Sequence, residues 1–327
     1  PLIIISMILI TAQTVFRIIG PDKLADITNL VTESVMIPGA SVNMSKVWKI
    51  AITLISLYVL GAVFGYVSNI LMIRVCFKMS QNLRRDIDAK ISKLPLKTLD
   101  RTPYGDILST VANDVDIVGQ TLETSVSSLI SAIILFLGSL LMMFVTNWIM
   151  ALSAIASTVI GFALMGLVMA KSQKYFIQQQ NSIAEINGVV EESYSGQNII
   201  RAYNAKEEFK NKFESVNTKL YTSGWKSQFI SGAMNPIMRF VGNLGYVVVC
   251  VVGAILFIDG KINLGVITAF MIYIRLFTNP LTQIAQAMTS VQTAAAASER
   301  VFDFLEQEEI EDESDKAIEL PEIKGNV

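Results

Sequence analysis

Long apolar runs and charged stretches alternate along this chain in blocks instead of mixing. Ile50–Ile73 is uncharged from end to end, and so is Thr124–Ala170. A membrane-crossing helix needs about 20 apolar residues, so the first run fits one span and the second fits two. Pro1–Phe16 is also uncharged and, continued to Ile19, supplies another. Ser227–Ile258 carries one charge, Arg239, and Ile262–Ser298 carries one, Arg275. The pattern predicts six spans. Turn signals separate them: Gly20-Pro21-Asp22 is expected to end the first, before a polar connector to Lys49 with a turn at Pro38-Gly39. Thr146-Asn147-Trp148 joins the third and fourth, and Asp259-Gly260-Lys261 the fifth and sixth. The last run exceeds one bilayer thickness, so its helix should project into water, with a bend at Pro280.

Two polar excursions interrupt the spans. In the first, Val75, Met79, Leu83, Ile87, Ile91 and Leu94 recur every three or four residues, as do Ile107, Val111, Val115, Val118 and Leu122. Each set forms one apolar stripe on a helix whose other faces carry Arg84, Arg85, Asp86, Asp88, Asp114 and Asp116. The pattern predicts two amphipathic helices that leave the membrane and return, broken at Asp-Arg-Thr-Pro-Tyr-Gly within Leu94–Asp116. At 1.5 Å per residue such helices reach roughly 30 Å beyond the bilayer. The second excursion, Lys171–Lys226, has an expected break at Ser193-Tyr194-Ser195-Gly196 and a returning stripe of Phe209, Phe213, Val216 and Leu220. The two form an architectural repeat, not a sequence repeat.

Composition agrees with a membrane protein: 52% of the 327 residues are hydrophobic and 17% charged. The net charge of −2 provides no basic surface for nucleic acid. There is no histidine, so a Cys/His metal site is excluded, and Cys76 and Cys250 read as packing thiols. The chain opens on an apolar run without an initiator Met or a basic start, and is expected to begin inside its first helix. Each excursion holds eight Lys or Arg, whereas the other connections hold Lys23, Lys46 and Lys49, then none, then Lys261. The positive-inside bias puts both excursions and both chain ends in the cytoplasm.

No GxxxxGK[ST] loop, Ser/His or Cys/His pair, or acid cluster at metal spacing occurs, so no catalytic residue is assigned and the chain alone should hydrolyse nothing. Polar residues within the spans are costly in lipid and therefore informative. Gln13 and Arg17 are four apart. Ser231, Asn235, Arg239 and Asn243 are strictly four apart, and Arg275, Asn279, Gln283, Gln286, Ser290 and Thr293 form one stripe. Three polar helix faces predict a wet substrate cavity; the plainer alternative is interhelical hydrogen bonding or arginines that snorkel to the surface. No Asp or Glu lies in the span cores, which disfavours proton coupling and points to energy supplied from outside the bilayer. Without a balancing acid, Arg17, Arg239 and Arg275 should disfavour small cations and leave neutral or anionic amphiphiles and peptides.

Particular residues also carry a family resemblance. Leu94-Pro95, Asp100-Arg101-Thr102-Pro103 with Gly105-Asp106-Ile107, and Asn113-Asp114-Val115-Asp116 resemble the first intracellular loop of ABC exporters. Glu191-Glu192, Ser195-Gly196, Ile200-Arg201-Ala202-Tyr203 and Glu207-Glu208 resemble the second. Tyr273, Arg275, Phe277 and Pro280, then Ala297-Ser298-Glu299-Arg300-Val301-Phe302, resemble the last helix and its exit. The chain is similar to bacterial multidrug-type half-transporters, particularly one subunit of heterodimeric pairs, over nearly its whole length. Asp22–Lys49 departs from the pattern.

The resemblance implies an all-α membrane protein with an ABC type 1 transmembrane domain over 1–305. Long cytoplasmic helical extensions would lie at about 74–122 and 171–226, with an acidic linker and the start of a nucleotide-binding domain over 306–327. It implies a first coupling helix at Asp100, Arg101, Thr102, Pro103, Tyr104, Gly105 and Asp106. A second would involve Glu191, Glu192, Ser195, Gly196 and Gln197. The first would touch both nucleotide-binding domains, and the second mainly the partner's, because helices four and five cross over. ATP and Mg2+ would bind in domains following Val327, and the second half-transporter would be a different chain. An ion channel or ion-coupled carrier is disfavoured by the carboxylate-free spans and long cytoplasmic helices. A membrane anchor for a signalling domain would not need three polar faces. The implied setting is the bacterial cell membrane.

Overall fold

The computed structural model describes residues 2–36, 42–101 and 103–310, with side chains at all of these except 99–101, 104, 106, 235 and 238. The expected turn at Pro38-Gly39, Thr102, and the part of the expected acidic linker and domain start beyond residue 310 lie outside the described residues. Among the described residues the chain is helical, with no strand, and six helices are long and apolar enough to cross a membrane. Two compact units emerge: Pro1–Ile27 with Ser41–Leu140 and Asn279–Val327, and Thr28–Ala40 with Leu141–Thr278.

The first helix, α1, runs from Leu2 to Met36, so the break expected at Gly20-Pro21-Asp22 does not occur. In lipid every backbone group must bond within the protein, and the single N–H that Pro21 lacks does not outweigh the rest of the ladder. Gly20 and Pro21 are buried, and a Cβ on Gly20 would collide with the Tyr58 hydroxyl. Beyond them Lys23 pairs with Asp26 at 2.9 Å, an i,i+3 pair that supports helix where a polar connector was expected. The next helix, α2, spans Met44–Ile91 and is capped by Asn43, whose side-chain oxygen accepts from the Lys46 N–H at 3.1 Å.

In the first unit a buried serine pair, Ser6 and Ser68, joins α1 to α2 with oxygens 2.7 Å apart. Between α2 and the returning helix, the first excursion is more finely divided than its apolar stripes predict. After α2 ends, Pro95 withholds a donor and Leu94 turns inward, 3% exposed. Two short helices follow, α3 (Leu96–Arg101) and α4 (Tyr104–Ser109). The chain returns through a π-helical turn at Thr110–Asp114, α5 (Val115–Gln120), a second π-helical turn at Thr121–Val126, and α6 (Ser127–Thr146). Such wide turns within helices often lie at functional sites.

The second unit contains α7 to α9 and the first part of α10, as far as Thr278. Asn147 caps α7 (Trp148–Ser195), accepting from the Ile149 and Met150 N–H groups at 3.1 and 3.0 Å. The short α8 covers Gln197–Ala202, and α9 (Lys206–Ile258) packs along α7. A Cβ on Gly161 of α7 would overlap the Val241 side chain of α9, a close approach that only glycine permits. Of Ser193-Tyr194-Ser195-Gly196, only Gly196 leaves the helix. Ser193 remains inside it, its hydroxyl donating to the Val189 carbonyl at 2.7 Å. Gly260, at φ +69°, ends α9 as expected, and α10 (Leu264–Leu305) continues through a buried Pro280.

Candidate functional site

The first excursion is fastened to the exit of α10 by three kinds of contact. Ile87, Leu94, Val115, Val301 and Phe304 form one buried cluster, with Leu83, Ile91, Ile107, Val111 and Leu305 packed against it. Beside the cluster, Arg300 grips Asp114 with both arms of its guanidinium, Nε to Oδ2 at 3.0 Å and Nη2 to Oδ1 at 2.5 Å. Asp114 sits in the first π-helical turn with its side chain 7% exposed. Charge-assisted, bidentate bonds of this kind fix orientation as well as distance. Beyond the end of α10, Lys90 Nζ donates to Glu309 Oε1 at 3.0 Å, and the Ile310 N–H donates to the Lys93 carbonyl at 2.9 Å. Lys90 is buried, and its hydrogen bond holds the Glu309 carboxyl below the usual carboxylate range. The segment leaving α10 is therefore tied to the root of α3.

For the first expected coupling helix, the backbone at Asp100 and Arg101 ends α3, and that at Tyr104, Gly105 and Asp106 begins α4. Pro103 and Gly105 are exposed, and a Cβ on Gly105 would meet nothing within 4 Å. At the second tip, Glu191, Glu192 and Ser195 lie on the last turns of α7, Gly196 caps it, and Gln197 opens α8. Asn204, at φ 51°, ends α8, with the Ala205 N–H donating to the Ile200 carbonyl and the Asn204 N–H to Arg201. Three large side chains, Tyr194, Ile199 and Tyr203, are 85%, 65% and 82% exposed around this tip. Large exposed apolar side chains on a polar excursion make this tip a candidate interaction surface. Lys212 with Glu192 (2.6 Å) and Lys219 with Glu185 (3.1 Å) align α9 on α7 behind it.

The polar residues of the spans separate by environment. Gln13 is half-buried against α2, where a Cβ on Gly65 would lie 2.5 Å from its Oε1, an interhelical position. Arg17 is exposed in the first unit, as are Asn279, Gln283 and Gln286 on α10. In the second unit Arg239, Asn243 and Arg275 are exposed, and Asn235 lies within α9. Among the described residues none of the three arginines has an ion-pair partner. Among the described residues Arg275 alone of the three has an aromatic partner, its Cζ lying 5.9 Å from the centroid of the Tyr246 ring. A cation–π contact contributes about 0.5–2 kcal/mol. That is less than the about 2.5–3.5 kcal/mol that placing arginine at a span centre costs on insertion scales.

Sequence reasoning missed Tyr246, although its place three residues after Asn243 put it on the same face of α9. It also missed the Lys90–Glu309 and Arg300–Asp114 pairs, which join residues far apart in the chain and leave no local signal. In the first unit a groove of about 880 Å³ lies between α2 and the α5 region, lined among others by Arg74, Phe77, Lys78, Arg84, Asp116 and Glu123.

The family described as the ABC transporter transmembrane region matches residues 3–281. A fatty acid ABC transporter ATP-binding/permease protein of Mycobacterium tuberculosis is 31% identical over 94% of this chain and 48% of its own length. An uncharacterised ABC transporter ATP-binding protein of Bacillus subtilis is 27% identical over 100% of this chain and 53% of its own length. A multidrug resistance ABC transporter ATP-binding and permease protein of Lactococcus lactis is 26% identical over 83% of this chain and 45% of its own length. The chain spans about half the length of the curated relatives it matches. With six apolar helices among the described residues and a first excursion tied to the exit of the last one, this chain belongs to the family of ABC transporter transmembrane regions.

Proposed function

We propose that this chain is the membrane-spanning half of an ATP-driven exporter, moving amphiphilic small molecules, drugs, lipids or peptides out of a bacterial cytoplasm by alternating access. The observation that carries the reading is the fastening of the first excursion to the exit of α10 through Arg300–Asp114, the Ile87 cluster and Lys90–Glu309. A stiff lever transmits a displacement that a flexible loop would absorb. On this reading α3 and the start of α4, with Asp100–Asp106, dock on nucleotide-binding domains, and so do α8 and the last turn of α7, with Glu191, Glu192, Ser195, Gly196 and Gln197. The exposed Tyr194, Ile199 and Tyr203 supply the apolar contact at the second tip.

A nucleotide-binding domain lies C-terminal on the same polypeptide and holds ATP with Mg2+. A second, different half-transporter completes the pair, and both excursions and both chain ends face the cytoplasm. The relatives, named as ATP-binding and permease proteins, support the fusion. The two named for fatty acids and for multidrug resistance support an amphiphilic cargo. Arg17, Asn235, Arg239, Asn243, Arg275, Asn279, Gln283 and Gln286 contribute to the cargo's path.

The test is ATP-dependent accumulation of a fluorescent amphiphile in inside-out vesicles carrying the full-length transporter. Accumulation against a gradient that stops on removal of Mg2+-ATP is expected. Accumulation that ignores ATP but collapses with the proton gradient would overturn the reading.

A further inference from the structure

We propose that Arg275, seated over Tyr246, is the recognition point for the acidic group of a singly charged anionic amphiphile; this inference rests on the exporter reading above. Depth is the first consideration. Arg275 lies eleven residues into α10, about 16 Å along the helix from its start at Leu264. Tyr246 lies twelve residues before the end of α9 at Ile258, about 18 Å along that helix. In a hydrocarbon layer about 30 Å thick, both sit near the middle. An arginine close to the boundary satisfies its charge by snorkelling to lipid phosphates, but one at mid-depth is beyond their reach.

The guanidinium is held there without being neutralised. Among the described residues the guanidinium lies against the face of the Tyr246 ring and has no ion-pair partner, and the Tyr246 hydroxyl is committed to Met271 Sδ at 3.4 Å. A ring face steers the guanidinium but accepts none of its in-plane N–H bonds, so the donor fork remains available. No Asp or Glu occurs in Trp148–Ala170, Ser227–Ile258 or Ile262–Ser298, so no acid in these runs can close on it. On the same face of α9, Asn243 and Arg239 precede Tyr246 by three and seven residues, and both are exposed. They extend donors toward the Lys226 end of the helix, again with no acid among them. A singly charged oxyanion with at least two equivalent oxygens, a carboxylate or sulfonate, is the group that a guanidinium fork binds with paired hydrogen bonds. An anion delivered to mid-depth must travel on an apolar carrier, which makes the ligand an amphiphile.

The probes are three twelve-carbon chains that differ in the head group: dodecanesulfonate and dodecyltrimethylammonium, each below its micellar concentration, and dodecanol below its solubility limit. With the full-length transporter in proteoliposomes, the readouts are the half-saturating concentration for ATPase stimulation and ATP-dependent movement. The anion is expected to half-saturate about tenfold or more below the alcohol, and the cation to be the weakest. The decisive quantity is the anion-to-alcohol ratio within each variant, which is independent of its overall activity. Arg275→Gln should bring that ratio to about one. Arg275→Lys should restore only part of it, since an ammonium lacks the fork. Tyr246→Leu should reduce it with the charge still present, a second variant in case Arg275→Gln misfolds.

An anion preference that survives Arg275→Gln would overturn the proposal and place recognition on other basic residues, including those of a partner subunit. Equal handling of anion and alcohol by the unmodified protein, with ATP-driven movement intact, would overturn the proposal and leave the exporter reading standing. No ATP-driven movement of any probe or of the fluorescent amphiphile would overturn both.

Discussion

Replacing Ile87 with alanine should loosen the joint between the first excursion and α10 by a calculable amount. Ile87 is 0% exposed and sits in one cluster with Leu94, Val115, Val301 and Phe304. The truncation removes three carbons, and at about 0.8 kcal/mol per buried CH2 the transfer term is about 2.4 kcal/mol. Incomplete collapse of the cavity carries the total into the range of about 2–5 kcal/mol. The full hydrophobic term applies because the excursion is a polar stretch, outside the apolar spans. In lipid the solvent would be as apolar as the side chain. A loss of 2.4 kcal/mol corresponds to about a fiftyfold rise in local opening. Hydrogen–deuterium exchange on peptides covering residues 83–91 and 297–305 reads it directly, with Leu96→Ala as the control because Leu96 is 76% exposed. Both peptides should speed up together in Ile87→Ala, with little change in the control. Exchange that rises less than about threefold, or only in the 83–91 peptide, would mean that the cluster does not join the two elements.

Three further outcomes follow from the same contacts. Glu309 is held below the usual carboxylate range by Lys90, so the stabilisation it provides is complete above its unfolded value and is lost as pH falls through the lower folded one. The protection factor at Ile310, its exchange relative to the intrinsic rate at each pH, should therefore stay constant from neutral pH down to the ordinary carboxylate range and fall only below it, whereas Glu309→Gln should show the lower protection throughout. Gly161→Ala should destabilise the α7–α9 pair by about 1–3 kcal/mol through overlap with Val241, and Val241→Ala in the same chain should recover much of it, as read by thermal unfolding in detergent. Gly105→Ala should be silent in the same assay, because an added Cβ there meets nothing.

Much of the fold was legible because lipid imposes a simple rule: uncharged runs of span length become helices. The same rule explains the error at Gly20-Pro21-Asp22, since turn residues that end a helix in water do not end one that remains bonded and packed against Tyr58. The break at the second tip was placed early because Ser193 and Ser195 favour turns in isolation, yet Ser193 satisfies its hydroxyl on the preceding turn and stays helical. The apolar stripes on Leu83–Leu94 and Ile107–Val118 did predict a buried face. What covers it, Val301 and Phe304, comes from the far end of the chain and carries no short-range mark. The polar stripes of α9 and α10 were visible as spacing alone, whereas the pairing of Arg275 with Tyr246 needed the two helices side by side.

The central claim, that rigid helices carry force between the excursion tips and the membrane, is tested most directly by inserting a Gly-Ser pair after Gly105 in the full-length transporter. The measurement is the number of substrate molecules moved per ATP hydrolysed in proteoliposomes. The account predicts that hydrolysis continues while this ratio falls by an order of magnitude or more, as expected when a stiff link is replaced by a flexible one. An unchanged ratio would contradict it.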